Sequence, residues 1–178
     1  PKDRDIAMVF QNYALYPHMT VEKNISYGLK NMKVPAAEIK KKVDWAIDIL
    51  GLSEYRYRKP KNLSGGQRQA LTLLMATMNK PKLLLLDEHT AALDPKTALK
   101  VLTLSARIVE ENHLTTMMIT HNMKDAIKYG NRLIMMHEGH IIYDVSGEEK
   151  KNLHVSDLLA KFQIASGGEF ANDRMILS

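Results

Sequence analysis

The order of apolar and polar residues predicts short strands separated by helices. Three short runs, at residues 5–10, 82–86 and 115–120, are rich in apolar residues or threonine, and each predicts a buried strand. The run at 82–86 is dominated by leucine, which is typical of a parallel strand covered on both faces. Elsewhere apolar residues recur every three or four positions, which predicts amphipathic helices. These helices cover residues 36–51, 64–79, 95–112, 123–129 and 155–162, and another begins after Thr20 and ends before Pro35.

Two further apolar runs near the end of the chain predict a hairpin. Residues 132–137 and 140–145 flank Glu138 and Gly139, which together are typical of a tight turn. Strands that alternate with long helices favour a parallel sheet, so the predicted fold class is α/β with an antiparallel hairpin towards its end. Residues 163–178 are polar and are interpreted as a tail.

Composition excludes several classes of protein. The 178 residues are 45% hydrophobic and 25% charged, which is an ordinary globular mixture and argues against disorder, collagen and coiled coil. The chain has no cysteine, which excludes a disulfide scaffold and thiolate chemistry. The formal charge of +5 comes from scattered basic residues with few aromatics between them, so no nucleic-acid partner is predicted. No apolar run approaches the roughly 18 residues of a membrane span.

Polar residues directly follow the three predicted parallel strands. In such sheets ligands bind beyond the carboxyl ends of the strands, where Gln11, Asp87, Glu88 and His121 lie in this sequence. An aspartate at a buried strand end suits Mg²⁺, because hard cations take oxygen ligands, and the adjacent glutamate could serve as a general base. In isolation, however, acidic residues more often simply end a strand or cap a turn.

A glycine-containing pentapeptide, residues 63–67, opens one of the predicted helices. Ser64 is suited to cap this helix, and Gly65 and Gly66 allow a ligand to approach the backbone closely. Free N–H groups and partial positive charge make such a helix start a phosphate site. An ordinary capped helix start is the alternative. Asp94, just before Pro95, is by default a helix cap.

Taken together, these residues resemble the motifs of the ABC-type ATPase family, and the resemblance covers residues 5–145. It implies a P-loop NTPase-like parallel sheet with a helical subdomain. The motifs concerned are the Q-loop, the signature motif, the Walker B strand, the D-loop and the H-loop. The matching positions are, in the same order, Gln11, residues 63–67, Asp87 with Glu88, Asp94 and His121.

The resemblance also implies a role for each position. Asp87 resembles the aspartate that holds Mg²⁺, and Gln11 resembles the glutamine that links the metal and nucleotide site to the membrane partner. Glu88 resembles the catalytic glutamate and His121 the switch histidine, so both are candidate catalytic residues. The signature residues, which contact the γ-phosphate of ATP held by the opposite subunit, correspond to Ser64, Gly65, Gly66 and Gln67, and Asp94 corresponds to the residue that communicates between subunits.

Two branches of the family are visible in the sequence. Residues 3–21 resemble the ATPase subunits of maltose-type sugar importers. From residue 83 onward the chain is more similar to another bacterial and archaeal importer branch, which is marked by His89 where most members have proline. The sequence does not distinguish a natural intermediate between the two branches from a chain that joins parts of both.

The family resemblance implies a cytoplasmic ATPase subunit, peripheral on the inner face of the cell membrane. Its implied cofactors are ATP and Mg²⁺, and its implied activity is ATP hydrolysis coupled to transport, in an importer. The implied partners are transmembrane permease subunits and a second ATPase subunit, identical or different, in a head-to-tail dimer. The transported substrate is decided by the permease. We expect residues 1–162 to form a partial nucleotide-binding domain, with a helical subdomain over about 20–80 and a tail over 163–178.

One family motif is not found in these residues. Phosphoryl transfer in P-loop enzymes depends on a G-x-x-x-x-G-K-[ST] loop around the phosphates, but none of the nine glycines is followed by lysine. The family places this Walker A motif before the Q-loop. We therefore expect an N-terminally incomplete domain without useful ATPase activity of its own. The alternative is a non-catalytic fragment or interaction module that binds no ATP alone.

Overall fold

The computed structural model describes residues 5–10 and 14–166, and the chain divides into two compact units between Ile119 and Thr120. The first unit contains β1 (Ile6–Val9), α1 (Val21–Asn31), α2 (Ala36–Ile49), α3 (Gly65–Thr77), β2 (Leu83–Asp87), α4 (Pro95–Glu111) and β3 (Thr116–Ile119), with 3₁₀ turns at Ser53–Tyr55 and Pro60–Asn62. The second contains α5 (Met123–Lys128), β4 (Arg132–His137), β5 (His140–Ser146), α6 (Gly147–Lys151) and α7 (Val155–Ala165).

The first unit is built on a parallel sheet in the order β1-β2-β3. Leu86 of the central strand pairs with Val9 on one side and with Met118 on the other. The three parallel strands and the helices between them confirm the α/β prediction. Among the described strands, the Walker B-like strand is paired along both of its edges, because β1 and β3 flank it.

Among the described residues, one face of this sheet is buried and the other is only partly covered, because Leu83 and Leu85 of β2 are half-buried. The prediction that residues 82–86 are covered on both faces is therefore wrong in part. Side chains alternate between the two faces of a strand, and Leu84 and Leu86 on one face are at most 3% exposed. On the opposite face Ile6 is 46%, Met117 53% and Ile119 48% exposed. A run of leucines therefore does not distinguish a strand that is buried on one face from a strand that is buried on both.

The helices α1 to α3 share the core of the first unit with the buried sheet face. Thr20 caps α1 by accepting a hydrogen bond from the Lys23 N–H at 3.3 Å, and the helix begins after Thr20 as the sequence predicts. Buried residues recur at helical spacing in α1 and α2: Val21, Ile25, Leu29, Ile39, Val43 and Ile47.

An ion-pair network joins α1 and α2 on the surface of the first unit. The Arg56 guanidinium donates to Glu22 on α1 at 3.0 Å and to Asp44 on α2 at 2.7 Å. Hydrogen bonds to these carboxylates raise the pKa of Arg56, and hydrogen bonds from Lys40 and Arg56 lower the pKa of Asp44. The chain after α2 is thereby fixed across two helices.

The second unit is a hairpin packed against short helices. Strands β4 and β5 pair antiparallel, which confirms the predicted hairpin, and Leu133, Val145 and Leu158 form its buried centre. Lys150 of α6 is only 4% exposed, and its ammonium donates to the Ile127 and Tyr129 carbonyls. Burial lowers the pKa of Lys150.

The second unit contains more helix than the sequence predicts. The last helix ends at Ala165 and not at residue 162, while the short helix α6 was not predicted. The predicted nucleotide-binding domain over 1–162, with its helical subdomain over about 20–80 and its tail over 163–178, stays a prediction. Among the described residues, no helix combines the length and the hydropathy of a membrane span.

Candidate nucleotide site

The acidic pair lies at the carboxyl end of the central strand. Asp87 is the last residue of β2, and both Asp87 and Glu88 are half-buried. Glu88 has φ 44°, a left-handed conformation that residues with a Cβ rarely adopt. Its N–H donates to the Ile119 carbonyl at 3.0 Å, and its own carbonyl accepts from the Ala91 N–H at 3.0 Å. The turn that presents these carboxylates is therefore tied both to β3 and to itself.

The signature pentapeptide forms a complete capping box at the start of α3. The Ser64 hydroxyl accepts from the Gln67 N–H at 3.2 Å, and the Gln67 side-chain oxygen accepts from the Ser64 N–H at 2.9 Å. Two of the predicted ligand residues thus also define where the helix begins. A fixed helix start keeps its remaining N–H groups aligned for an anion.

Gly66 is buried where the signature helix meets α4. A Cβ at this position would lie 2.2 Å from the Cγ2 of Thr97, far inside any real contact. The glycine therefore allows two helices to approach closely, a reason that is independent of any ligand.

Asp94 caps α4, as its position before Pro95 predicts. Its carboxylate accepts from the Thr97 N–H at 3.1 Å, and hydrogen bonds from the Thr97 hydroxyl and N–H lower the pKa of Asp94. Thr97 thus contacts the D-loop residue with its polar atoms and the signature glycine with its methyl group. Sequence reasoning missed Thr97, since its contact with Gly66 joins residues that are far apart in the sequence.

A cavity of about 500 Å³ opens beside the signature helix. Most of the residues that line it are apolar, and its polar lining is Ser64, Gln67, Thr97 and Lys100. The structure thereby brings the signature residues next to the first turn of α4. The cation of Lys100 adds positive charge to the partial charge of the α3 N-terminus, which favours an anionic ligand.

A second missed residue connects the signature helix to the first strand. Gln69 is fully buried, and its side-chain amide donates to the Phe10 carbonyl at 3.2 Å. Its oxygen has no partner among the described residues. The sequence did contain a signal for Gln69: it lies on the buried face of α3, three and four positions before the buried Thr72 and Leu73. A glutamine at such a position needs hydrogen-bond partners inside the protein.

The structure does not test the placement of two predicted site residues, Gln11 and His121. Gln11 lies outside the described residues. His121 directly follows Thr120 at the beginning of the second unit, where it is exposed. Their predicted roles, and those of the residues above, stay predictions.

The residues at β2 fit a magnesium ion that arrives with phosphate. Mg²⁺ is usually bound through one or two carboxylates together with phosphate oxygens, and Asp87 offers such a carboxylate at the strand end. No group of three or more acidic or histidine side chains in the described part of the chain could hold a metal by itself. The donor set therefore suits a metal–nucleotide complex more than a resident metal ion.

Comparisons with known proteins identify the family of this chain. The profile of a family described as "ABC transporter" matches residues 2–91. A tyrosine transport ATP-binding protein of Clostridioides difficile is 44% identical over 90% of this chain and 67% of its own length. The oligosaccharide import ATP-binding protein MsmX of Bacillus subtilis is 49% identical over 79% of this chain and 39% of its own length. The chain thus spans between about two fifths and two thirds of these relatives.

A solved structure shows the same fold. CbiO1 of Clostridium perfringens, described as part of the ABC transporter complex CbiONQ, superposes with a TM-score of 0.75 at 29% identity. The match covers 90% of this chain and 64% of CbiO1. The predicted ABC ATPase type of α/β fold and the family resemblance are both confirmed: the chain belongs to the ABC transporter family.

Proposed function

We propose that this chain is part of the ATP-binding and ATP-hydrolysing subunit of a membrane importer. One observation carries the proposal: Asp87 and Glu88 end the central strand in a turn held by hydrogen bonds to neighbouring backbone. The similarity to the ATP-binding proteins of transport and import systems supports it. In the proposed cycle, ATP closes two subunits head to tail and hydrolysis reopens them.

Each site residue has a task in this proposal. Asp87 holds Mg²⁺, which supplies charge neutralisation at the phosphates when it is bound. Glu88 orients a water molecule and accepts its proton, and His121 donates a hydrogen bond near the terminal phosphate. Gln11 links the metal site to the membrane partner.

The signature end of the chain has a different task. The N-terminus of α3, fixed by the Ser64–Gln67 capping box, points its N–H groups at the γ-phosphate bound by the opposite subunit. Gly65 and Gly66 keep this helix start free of side chains. Asp94, which caps α4 beside it, communicates between the two subunits.

Substitution of Glu88 tests the catalytic assignment. In the complete subunit we expect Glu88→Gln to retain ATP binding and to lower kcat at least about a hundredfold, since positioned proton transfer contributes about 10²–10⁴-fold. Glu110→Gln on the exposed side of α4 is the matched control and should hydrolyse normally. Unchanged hydrolysis by the Glu88 variant would refute the assignment.

The loop before α1 is the proposed contact with the permease. Tyr16 and His18 are exposed, and the loop is held by the buried Asn24. The Asn24 side chain accepts from the Tyr16 N–H at 2.8 Å and donates to the Tyr16, Met19 and Thr20 carbonyls. Such a rigid, partly aromatic loop suits a protein partner.

Copurification with the permease tests this contact. A combined Tyr16→Ala and His18→Ala variant should lose the permease while still binding ATP. Tyr57→Ala, which removes a tyrosine that is 75% exposed elsewhere, should retain it. Equal copurification by both variants would contradict the assignment. Contact with a permease would place the protein on the inner face of the membrane, in the cytoplasm.

A second candidate function is a non-catalytic module that offers its signature motif to a partner. It is favoured by one sequence observation, that no glycine of these 178 residues is followed by lysine. Calorimetry with Mg-ATP on this polypeptide distinguishes the two functions. Micromolar binding would exclude the module and would reveal a further phosphate site.

A further inference from the structure

The left-handed backbone of Glu88 needs stabilising contacts with residues outside the turn. A left-handed φ of 44° is unfavourable for a side chain with a Cβ and persists only where surrounding structure holds it. The two backbone hydrogen bonds to Ile119 and Ala91 fix the main chain of Glu88. The next residue along the chain, His89, is the only one in the turn whose side chain is buried.

His89 connects this turn to the middle of α4. It is 3% exposed, and its Nε2 lies 3.1 Å from the Oγ of Ser105, which is itself 4% exposed. The two residues are sixteen positions apart. The contact therefore joins the carboxyl end of β2 to a helix that begins beyond the turn.

The direction of this hydrogen bond follows from the second partner of Ser105. The Ser105 hydroxyl donates its single proton to the Val101 carbonyl at 2.9 Å. It can therefore only accept from His89, so Nε2 of the imidazole carries a proton.

We propose that His89 is a positioning residue for Glu88, holding the turn after β2 in its left-handed form through the hydrogen bond to Ser105. This inference rests on the proposed catalytic role of Glu88. An apolar side chain of similar size would fill the same space without fixing the direction of the turn. The polar bond, and not the volume, is thus the feature that matters.

Steady-state hydrolysis by the complete subunit with its permease tests the proposal. Misplacing a reacting group by about 1 Å costs up to about a hundredfold, so we expect His89→Leu and Ser105→Ala each to lower kcat by about ten- to a hundredfold. The KM for ATP should stay within about twofold, because nucleotide binding is not touched. His89→Gln, which keeps a donor at similar reach, should recover most of the rate.

A matched control exists on the same helix. The Thr103 hydroxyl donates to the Leu99 carbonyl at 2.8 Å, the same bond within the helix that Ser105 makes, but Thr103 is exposed. Thr103→Val should therefore leave kcat unchanged. Proton-detected nitrogen NMR of the 178-residue chain should show His89 protonated at Nε2.

The outcomes distinguish the catalytic role of Glu88 from the positioning role of His89. If Glu88→Gln leaves hydrolysis intact, the proposed catalytic role fails and this inference fails with it. If Glu88→Gln abolishes hydrolysis while His89→Leu keeps kcat within about twofold, only the positioning role is overturned. A His89→Gln variant as slow as His89→Leu, or a ring protonated at Nδ1 alone, also overturns it.

Discussion

The close approach of α3 and α4 at Gly66 makes a sharp prediction about Gly66→Ala. The added Cβ would lie 2.2 Å from the Thr97 methyl carbon, more than about 1 Å short of the 3.4 Å at which ordinary contact begins. Thr97 could rotate away, but its hydroxyl would then leave the Asp94 carboxylate. The alanine therefore either moves a helix or removes the Thr97 hydroxyl bond from the Asp94 cap, whose bond to the Thr97 N–H would remain.

The magnitude follows from two opposing effects. Overpacking at a helix contact costs about 1–3 kcal/mol. Alanine is favoured over glycine within a helix by up to about 1 kcal/mol, and less in the first turn. We therefore expect Gly66→Ala to lower the free energy of unfolding by about 1–2 kcal/mol.

The sign should reverse when the clashing atom is absent. Thr97→Ser removes the methyl group and retains the hydroxyl, so adding Gly66→Ala in that background should be neutral or slightly stabilising. Urea denaturation of the wild type, both single variants and the double variant, followed by far-ultraviolet circular dichroism, measures the coupling. Gly28→Ala is the control, because nothing lies within 4 Å of its Cβ position; it should stabilise α1 by about 0.5–1 kcal/mol.

Additivity would refute this reasoning. If the two substitutions combine within about 0.5 kcal/mol, Gly66 and Thr97 are not in contact. A Gly66→Ala protein as stable as the wild type would show that the helices have room to separate.

Three further predictions concern buried polar groups. Burial lowers the pKa of His89 from 6.5 to about 4, so its contribution to stability is complete above pH 6.5 and is lost as the pH falls towards 4. This loss amounts to about 3 kcal/mol of the free energy of unfolding. His89→Gln should flatten this part of the curve when the free energy of unfolding is measured by urea denaturation against pH. Asn24→Ala should lower the free energy of unfolding by about 2–3 kcal/mol, because it leaves the Tyr16 N–H and nearby carbonyls without their partner, and hydrogen exchange at the Tyr16 amide should accelerate. Lys150→Met should destabilise the second unit by about 1–3 kcal/mol by orphaning the Ile127 and Tyr129 carbonyls, whereas an unchanged melting curve would contradict the structural role of the buried ammonium.

Most of the fold could be predicted from patterns among residues that are close together in the sequence. The parallel strands, the hairpin around Glu138 and Gly139, and the caps at Thr20, Ser64 and Asp94 follow from spacing and residue type within a few positions. These features could be predicted because the physical causes are local in sequence.

Contacts between distant residues could not be predicted in the same way. The bonds of Gln69 to Phe10 and of His89 to Ser105 depend on which helix lies against which strand. The acidic pair was found because strand ends face ligands, but the left-handed turn at Glu88 has no signal in its residue type. Sequence thus indicated where the candidate site lies and left open what holds it in place.

The partly covered face of the parallel sheet has a practical consequence for measuring this polypeptide. Its apolar side chains, including Ile6, Met117 and Ile119, are about half exposed in the folded chain. Fluorescent dyes that bind apolar surface are commonly used to report unfolding. Here the native state offers such a surface from the beginning, so a dye signal at low temperature would not mean that the protein is unfolded, and backbone spectroscopy is the sounder probe.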